Sequence, residues 1–178
     1  MDGRSLVPRW RLGDESYGPG ISVSVTEAPI SAWPFMVSLG VSAGIEHEDL
    51  LGGHYCGGTL VADQWVLTAA HCVYGKSLAQ LDVVIGAQNL SQTHESLHYN
   101  VSAIWVHPDY HPAYLTDDIA LIHLVEKSEA PLAQIPTELD HYVAGTHAYI
   151  LGWGMSPSDV EHSGALQQAI GPIVSDEI

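Results

Sequence analysis

The run Trp65-Val66-Leu67-Thr68-Ala69-Ala70-His71-Cys72 constrains this chain more than any other stretch. An apolar, β-rich segment gives way to small residues, and a histidine and a cysteine follow at once. The chain holds two cysteines, Cys56 and Cys72, with fifteen residues between them. An even cysteine count fits one bridge in an extracellular protein, and closing a loop of that size contributes about 3 kcal/mol in the chain-entropy model. A histidine at the end of a buried strand, next to such a bridge, is held by backbone rather than by a mobile loop. That suits a general base, which must stay within hydrogen-bond reach of its nucleophile. The same residues also fit a core histidine beside a structural cysteine, and the rest of the chain decides between the two.

On both sides of this stretch the sequence alternates short apolar runs with turn residues. Ile21, Val23 and Val25 alternate with Ser and Thr, and Trp33–Leu39 forms a compact strand. An acidic, Gly-rich loop over 42–53 leads into His54–Val61, where Gly57 and Gly58 signal close backbone approach. Ala62-Asp63-Gln64 makes a turn into the strand Trp65–Thr68. Leu81–Gly86, His98–Val106, Ile119–Val125 and Val143–Gly154 continue the pattern, with Pro108, Pro112, Pro131 and Pro136 between them. Leu166–Val174 reads as a further strand that Gly171-Pro172 weakens. No segment carries a long helical period, and the spacing predicts an all-β barrel or sandwich. Residues 1–20 lack a hydrophobic period and read as a flexible leader.

Composition narrows the function classes. Twenty-one acidic residues face five basic ones, for a formal net charge of −16. Binding to nucleic acid needs Lys and Arg to neutralise phosphates, so that class is excluded. The acid is spread along the chain and serves solubility. No run reaches the roughly 18 apolar residues of a membrane span. Two Asn-X-Ser sequons, at Asn89 and Asn100, mark candidate glycosylation sites and fit an extracellular location. Met1–Arg11 has no apolar central stretch, so no secretory signal is visible.

Six stretches, Leu67–Cys72 of the opening run among them, carry a specific resemblance. In order they are Ala32–Leu39, Cys56-Gly57-Gly58-Thr59-Leu60, Leu67–Cys72, His107-Pro108-Asp109-Tyr110, Asp117-Asp118-Ile119-Ala120-Leu121, and Ala144-Gly145-Thr146 leading to Gly152-Trp153-Gly154. Together they resemble the chymotrypsin/trypsin family of serine proteases over residues 22 to 178. The resemblance implies a double antiparallel β-barrel, with the first barrel complete over about 33–126, a connector over 127–142, and a second barrel begun over 143–178. It implies a general base at His71 and an orienting carboxylate at Asp118. A serine hydroxyl is a weak nucleophile until an imidazole takes its proton, and a carboxylate on the other ring nitrogen fixes the tautomer. Protein or peptide substrates, protein protease inhibitors as partners, and no cofactor are implied as well.

Three departures qualify that expectation. The family's Gly-Asp-Ser-Gly-Gly-Pro run does not occur, and Ser175 lies in a context that resembles a stretch well before the nucleophile. The chain as given is therefore expected to lack the serine, the oxyanion hole and the specificity pocket, and to be inactive alone. A non-catalytic homologue that acts by binding or regulation is the alternative. Around Ser22-Val23-Ser24-Val25 no Arg or Lys precedes the position where the family is cleaved for activation. Eleven histidines raise a metal question, but the pairs His94/His98 and His107/His111 fall in strand or Pro-rich sequence, and Glu95 alone cannot make a calcium loop after Ala87. No metal site is assigned. Trp33, Trp65, Trp105 and Trp153 are read as packing residues.

Overall fold

The computed structural model describes residues 25–29, 31–42, 53–92, 97–137, 143–154 and 164–174. Ten strands appear: β1 (Val25–Glu27), β2 (Met36–Val41), β3 (Cys56–Ala62), β4 (Trp65–Thr68), β5 (Leu81–Ile85), β6 (His98–Tyr99), β7 (Val101–Val106), β8 (Ala120–Leu124), β9 (His147–Gly152) and β10 (Gln167–Pro172). One helical turn, α1 (Ala70–Val73), follows β4. Seven strands pair in the order β6-β5-β2-β3-β4-β8-β7, all antiparallel, and β7 curls round to approach β5, so the sheet is a nearly closed barrel. The remaining three form a second sheet in the order β1-β10-β9. The all-β architecture, with one barrel and part of another, is as the sequence implies.

Two cores explain the burial pattern. Val37, Leu39, Leu60, Val66, Val83, Ile85, Ile122 and Leu124 fill the barrel. A second cluster, including Met36, Val84, Leu90, Trp153 and Leu166, lies between the barrel and the small sheet. Strands β2 and β5 contribute to both, which is why Met36 through Gly40 are buried without alternation. On β4 only one face meets the barrel core, and Val66 and Thr68 are buried while Trp65 and Leu67 are half-exposed. The junction is also polar. Trp33 Nε1 donates to Gln168 Oε1 (3.1 Å), and the Leu90 N–H donates to the Gly164 carbonyl (2.9 Å).

Two local readings are corrected. Strand β10 continues through Gly171 and Pro172, opposite Ala148 and His147. The Ile173 N–H donates to Thr146 on the β9 side, so the neighbouring Pro172 nitrogen faces the other edge. The described part of β1 pairs with Gln167–Ala169. Trp105, read as a packing residue, is 50% exposed on the outer face of the barrel beside Trp65 (ring centroids 5.1 Å apart). Ser22–Ser24 and Ser175 lie outside the described residues.

The two glycines after Cys56 are not equivalent. A Cβ at Gly58 would sit 2.9 Å from Val66 Cγ1 and 3.1 Å from the Leu67 carbonyl oxygen, whereas one at Gly57 would meet only the Val37 carbonyl oxygen at 3.9 Å. Overpacking of this kind costs about 1–3 kcal/mol. Gly58→Ala is therefore expected to lower stability by that amount in denaturant melts, and Gly57→Ala by much less. Equal losses would contradict the packing described.

Candidate active site

The site begins where β4 ends. A one-turn helix has no stability of its own, so α1 depends on its anchors: Ala70 and Val73 are fully buried in the barrel core, and Cys72 is bridged to Cys56 at the start of β3. The two Cα atoms lie 6.1 Å apart. Thr68 Oγ1 donates to the Gly57 carbonyl (2.8 Å), adding a second tie between β4 and β3. His71 thus lies on the helical turn rather than at the strand's end, and its side chain is half-exposed.

Asp118 arrives from the opposite direction, two residues before β8. Leu115 and Asp117 hold φ values of 52° each. Left-handed backbone at non-glycine residues costs of order 1–3 kcal/mol and persists where the surroundings over-determine it. Here it turns the chain so that the Asp118 carboxylate reaches α1. His71 Nδ1–H donates to Asp118 Oδ2 at 2.6 Å, and the His71 backbone N–H donates to Oδ1 at 2.8 Å. Both oxygens are thereby engaged, the ring is fixed with its proton on Nδ1, and Nε2 is left as the acceptor. That nitrogen lies 3.4 Å from Cys72 Sγ and 3.9 Å from Cys56 Sγ. Partial burial pushes the Asp118 carboxyl up, but the hydrogen bonds from the His71 ring and backbone outweigh it and hold the group below its ordinary 3.8.

Several further polar and aromatic contacts lie outside what sequence reading assigned. Tyr110 packs edge-on against Tyr74 (5.3 Å), and its hydroxyl is pushed up by desolvation, then by the Asp118 charge and Tyr74. Ser38 Oγ lies 2.6 Å from His54 Nδ1, and burial pushes that imidazole below its ordinary 6.5. The Trp153 ring sits 5.5 Å from His54, and its buried Nε1 has no hydrogen-bond partner among the described residues. Burial pushes the Tyr55 hydroxyl up to about 12, and Lys76 Nζ stands 4.4 Å over its ring. Ser38 and His54 stand 16 positions apart, so the sequence carried this contact only at long range. A cleft of about 390 Å³ opens between the barrel and β9, lined by Phe35, Met36, Gly58, Thr68, Tyr149 and Leu151 among others. Neither His71 nor Asp118 lines it.

The two sequon asparagines differ. Asn89 is half-buried, accepts from the Ser91 N–H (2.8 Å) and pairs with Ala165. Asn100 is exposed, and its Nδ2 donates to Glu126 Oε1 (3.2 Å).

An imidazole with a carboxylate on Nδ1 and an open Nε2, set on the rim of a β-barrel, has the geometry that a general base and its orienting carboxylate require. The family model for trypsin matches residues 22–178. The chain is 37% identical over 131 residues to a trypsin of Saccharopolyspora erythraea, covering 71% of this chain and 56% of the relative. It is 36% identical over 166 residues to chymotrypsin-like elastase family member 1 of Rattus norvegicus, covering 88% and 59%. The solved VesB protease of Vibrio cholerae superposes with a TM-score of 0.71 at 31% identity, over 85% of this chain and 44% of that one. The chain belongs to the trypsin family of serine proteases. It spans less than three-fifths of the length of these curated relatives. No helix among the described residues is long and apolar enough to cross a membrane.

The lowered Asp118 carboxyl sets a pH dependence. The folded group protonates at a lower pH than the unfolded one, so its stabilisation is present above the ordinary 3.8 and is lost as pH falls through the folded value. The stability gap between wild type and Asp118→Asn is expected to be present at about pH 5 and to close below about pH 4. A gap that widens on acidification would show that the carboxylate is not held by His71.

Proposed function

We propose that this chain supplies the general base and orienting carboxylate of a secreted serine endopeptidase acting on protein or peptide substrates. In this reading His71 takes the proton of a serine hydroxyl as it attacks the peptide carbonyl, and returns it to the leaving amine. Asp118 keeps Nδ1 protonated and stabilises the imidazolium. The observation that carries the reading is the 2.6 Å bond from Nδ1 to Asp118, which leaves Nε2 as the acceptor. The serine, oxyanion donors and specificity pocket are assigned to the part of the relatives' length that this chain does not span, so the 178-residue chain alone is expected not to turn over. Protein protease inhibitors would occupy the same completed site. The VesC neighbour, a secreted serine protease of Vibrio cholerae (26% identity, TM-score 0.69), supports an extracellular location. The exposed Asn100 is the sequon we assign to glycosylation. Residues 1–20 are read as a leader, and 127–142 as the connector between the barrels.

A fluorophosphonate probe followed by intact-mass measurement of the protein from its source tests the reading. A species heavier than 19.1 kDa with one adduct is expected. A species of 19.1 kDa without adduct would favour a homologue that works by binding. In the unlabelled protein from its source, Asp118→Asn is expected to lower kcat by about 10⁴-fold while KM changes little. A loss confined to KM would remove Asp118 from the catalytic machinery.

A further inference from the structure

The two ends of the Cys56–Cys72 bridge are unequally placed. Cys72 is 4% exposed and packed into the barrel core, whereas Cys56, at the start of β3, is partly exposed. A thiolate arriving from solvent therefore meets the bridge at Cys56, and the sulfur it expels is that of Cys72. His71 stands on the leaving side, with Nε2 3.4 Å from Cys72 Sγ and 3.9 Å from Cys56 Sγ. These distances belong to the closed bridge, which is the state a thiolate attacks.

We propose that the bridge is a redox switch on the His71–Asp118 pair, opened by an external dithiol with His71 as proton donor to the leaving sulfur. One reductant thiolate attacks Cys56 Sγ, and the electron pair of the S–S bond passes to Cys72 Sγ. The His71 imidazolium gives its Nε2 proton to that sulfur and recovers one from solvent. The second thiolate of the reductant then attacks the reductant's own sulfur in the mixed disulfide. Cys56 leaves as a thiolate and is protonated by solvent, and the reductant departs as a cyclic disulfide. Two electrons have passed to the bridge, and both cysteines are left as thiols.

Three observations favour this route. Asp118 accepts from His71 Nδ1 at 2.6 Å and from its backbone N–H at 2.8 Å, which aims Nε2 at the sulfurs and stabilises the ring when it is charged. The His71 side chain is 50% exposed, so the ring exchanges protons with solvent while it faces the bridge. Asp118 is the charged group in contact with that ring; beyond it, Tyr110 packs on Tyr74 with its hydroxyl pushed up by desolvation, the Asp118 charge and Tyr74, and so stays neutral. A thiol beside an imidazolium falls below its ordinary value of about 8.5, and a more acidic thiol leaves faster. The neutral ring turns a lone pair toward the departing sulfur and gives no such help. Opening then removes an anchor from α1, a single turn with no stability of its own, and the orientation of His71 goes with it. None of these contacts involves a peptide substrate, so the switch does not depend on the hydrolytic role of His71.

The test is the rate at which dithiothreitol opens the bridge in the full chain, followed by alkylation and mass measurement and expressed per reductant thiolate. Between about pH 8 and about pH 6 that rate constant is expected to rise about tenfold in the wild type and to stay flat in His71→Ala. Asp118→Asn is expected to move the rise to lower pH. A single-thiol reductant, 2-mercaptoethanol, is expected to leave its adduct on Cys56 and to free Cys72. In the fully reduced chain the proton shared by His71 Nδ1 and Asp118 is expected to vanish from the NMR spectrum. A flat profile in the wild type, an equal rise in His71→Ala, or an adduct on Cys72 overturns the proposal. So does a reduced chain that keeps the His71–Asp118 bond, because opening would then switch nothing.

Discussion

The hydrogen bond from His71 Nδ1 to Asp118 Oδ2 joins residues 47 positions apart, one on a helical turn after β4 and one on a strained approach to β8. Neither segment could hold its side chain alone. A single helical turn is unstable in isolation, and left-handed backbone at Leu115 and Asp117 is uphill by about 1–3 kcal/mol each. The barrel makes the bond possible, because β4 pairs directly with β8 from Trp65–His123 to Thr68–Ala120. That register brings the two strand ends together, and the disulfide to β3 fixes the third side. Packing in the barrel core is thus converted into the orientation of one imidazole.

The division into two cores explains what this stretch of chain can assemble by itself. The His71–Asp118 pair lies wholly on barrel elements, supported by Ala70, Val73 and the Cys56–Cys72 bridge. The small sheet meets the barrel through Met36, Val84, Trp153 and Leu166, on the other side of β2 and β5. Its strands leave Tyr149, Ile150 and Ile170 exposed, and the cleft between the sheets runs beside Gly57 and Gly58. The chain belongs to the trypsin family and covers less than three-fifths of the length of these relatives.

Much of this was legible in the residues. Strand positions followed from short apolar runs between Gly and Pro, and His71 and Asp118 from motifs whose order matched a known family. The parts that were not legible depend on tertiary placement. Pro172 ends no strand because its nitrogen faces away from β9, which only the pairing register reveals. Trp105 looks like a core residue in the sequence, yet it falls on the outward face of β7. The contact of Ser38 with His54 joins side chains whose nearness no local pattern encodes.

The most direct measurement is the tautomer of His71 by nitrogen-15 NMR at about pH 8, where an ordinary imidazole is neutral. A preassembled pair requires Nδ1 to carry the proton, with a strongly downfield Hδ1 resonance that disappears in Asp118→Asn, and Nε2 to resonate as a bare acceptor. Protonation on Nε2, or a ring that averages between tautomers, would mean that the barrel does not hold the base in place.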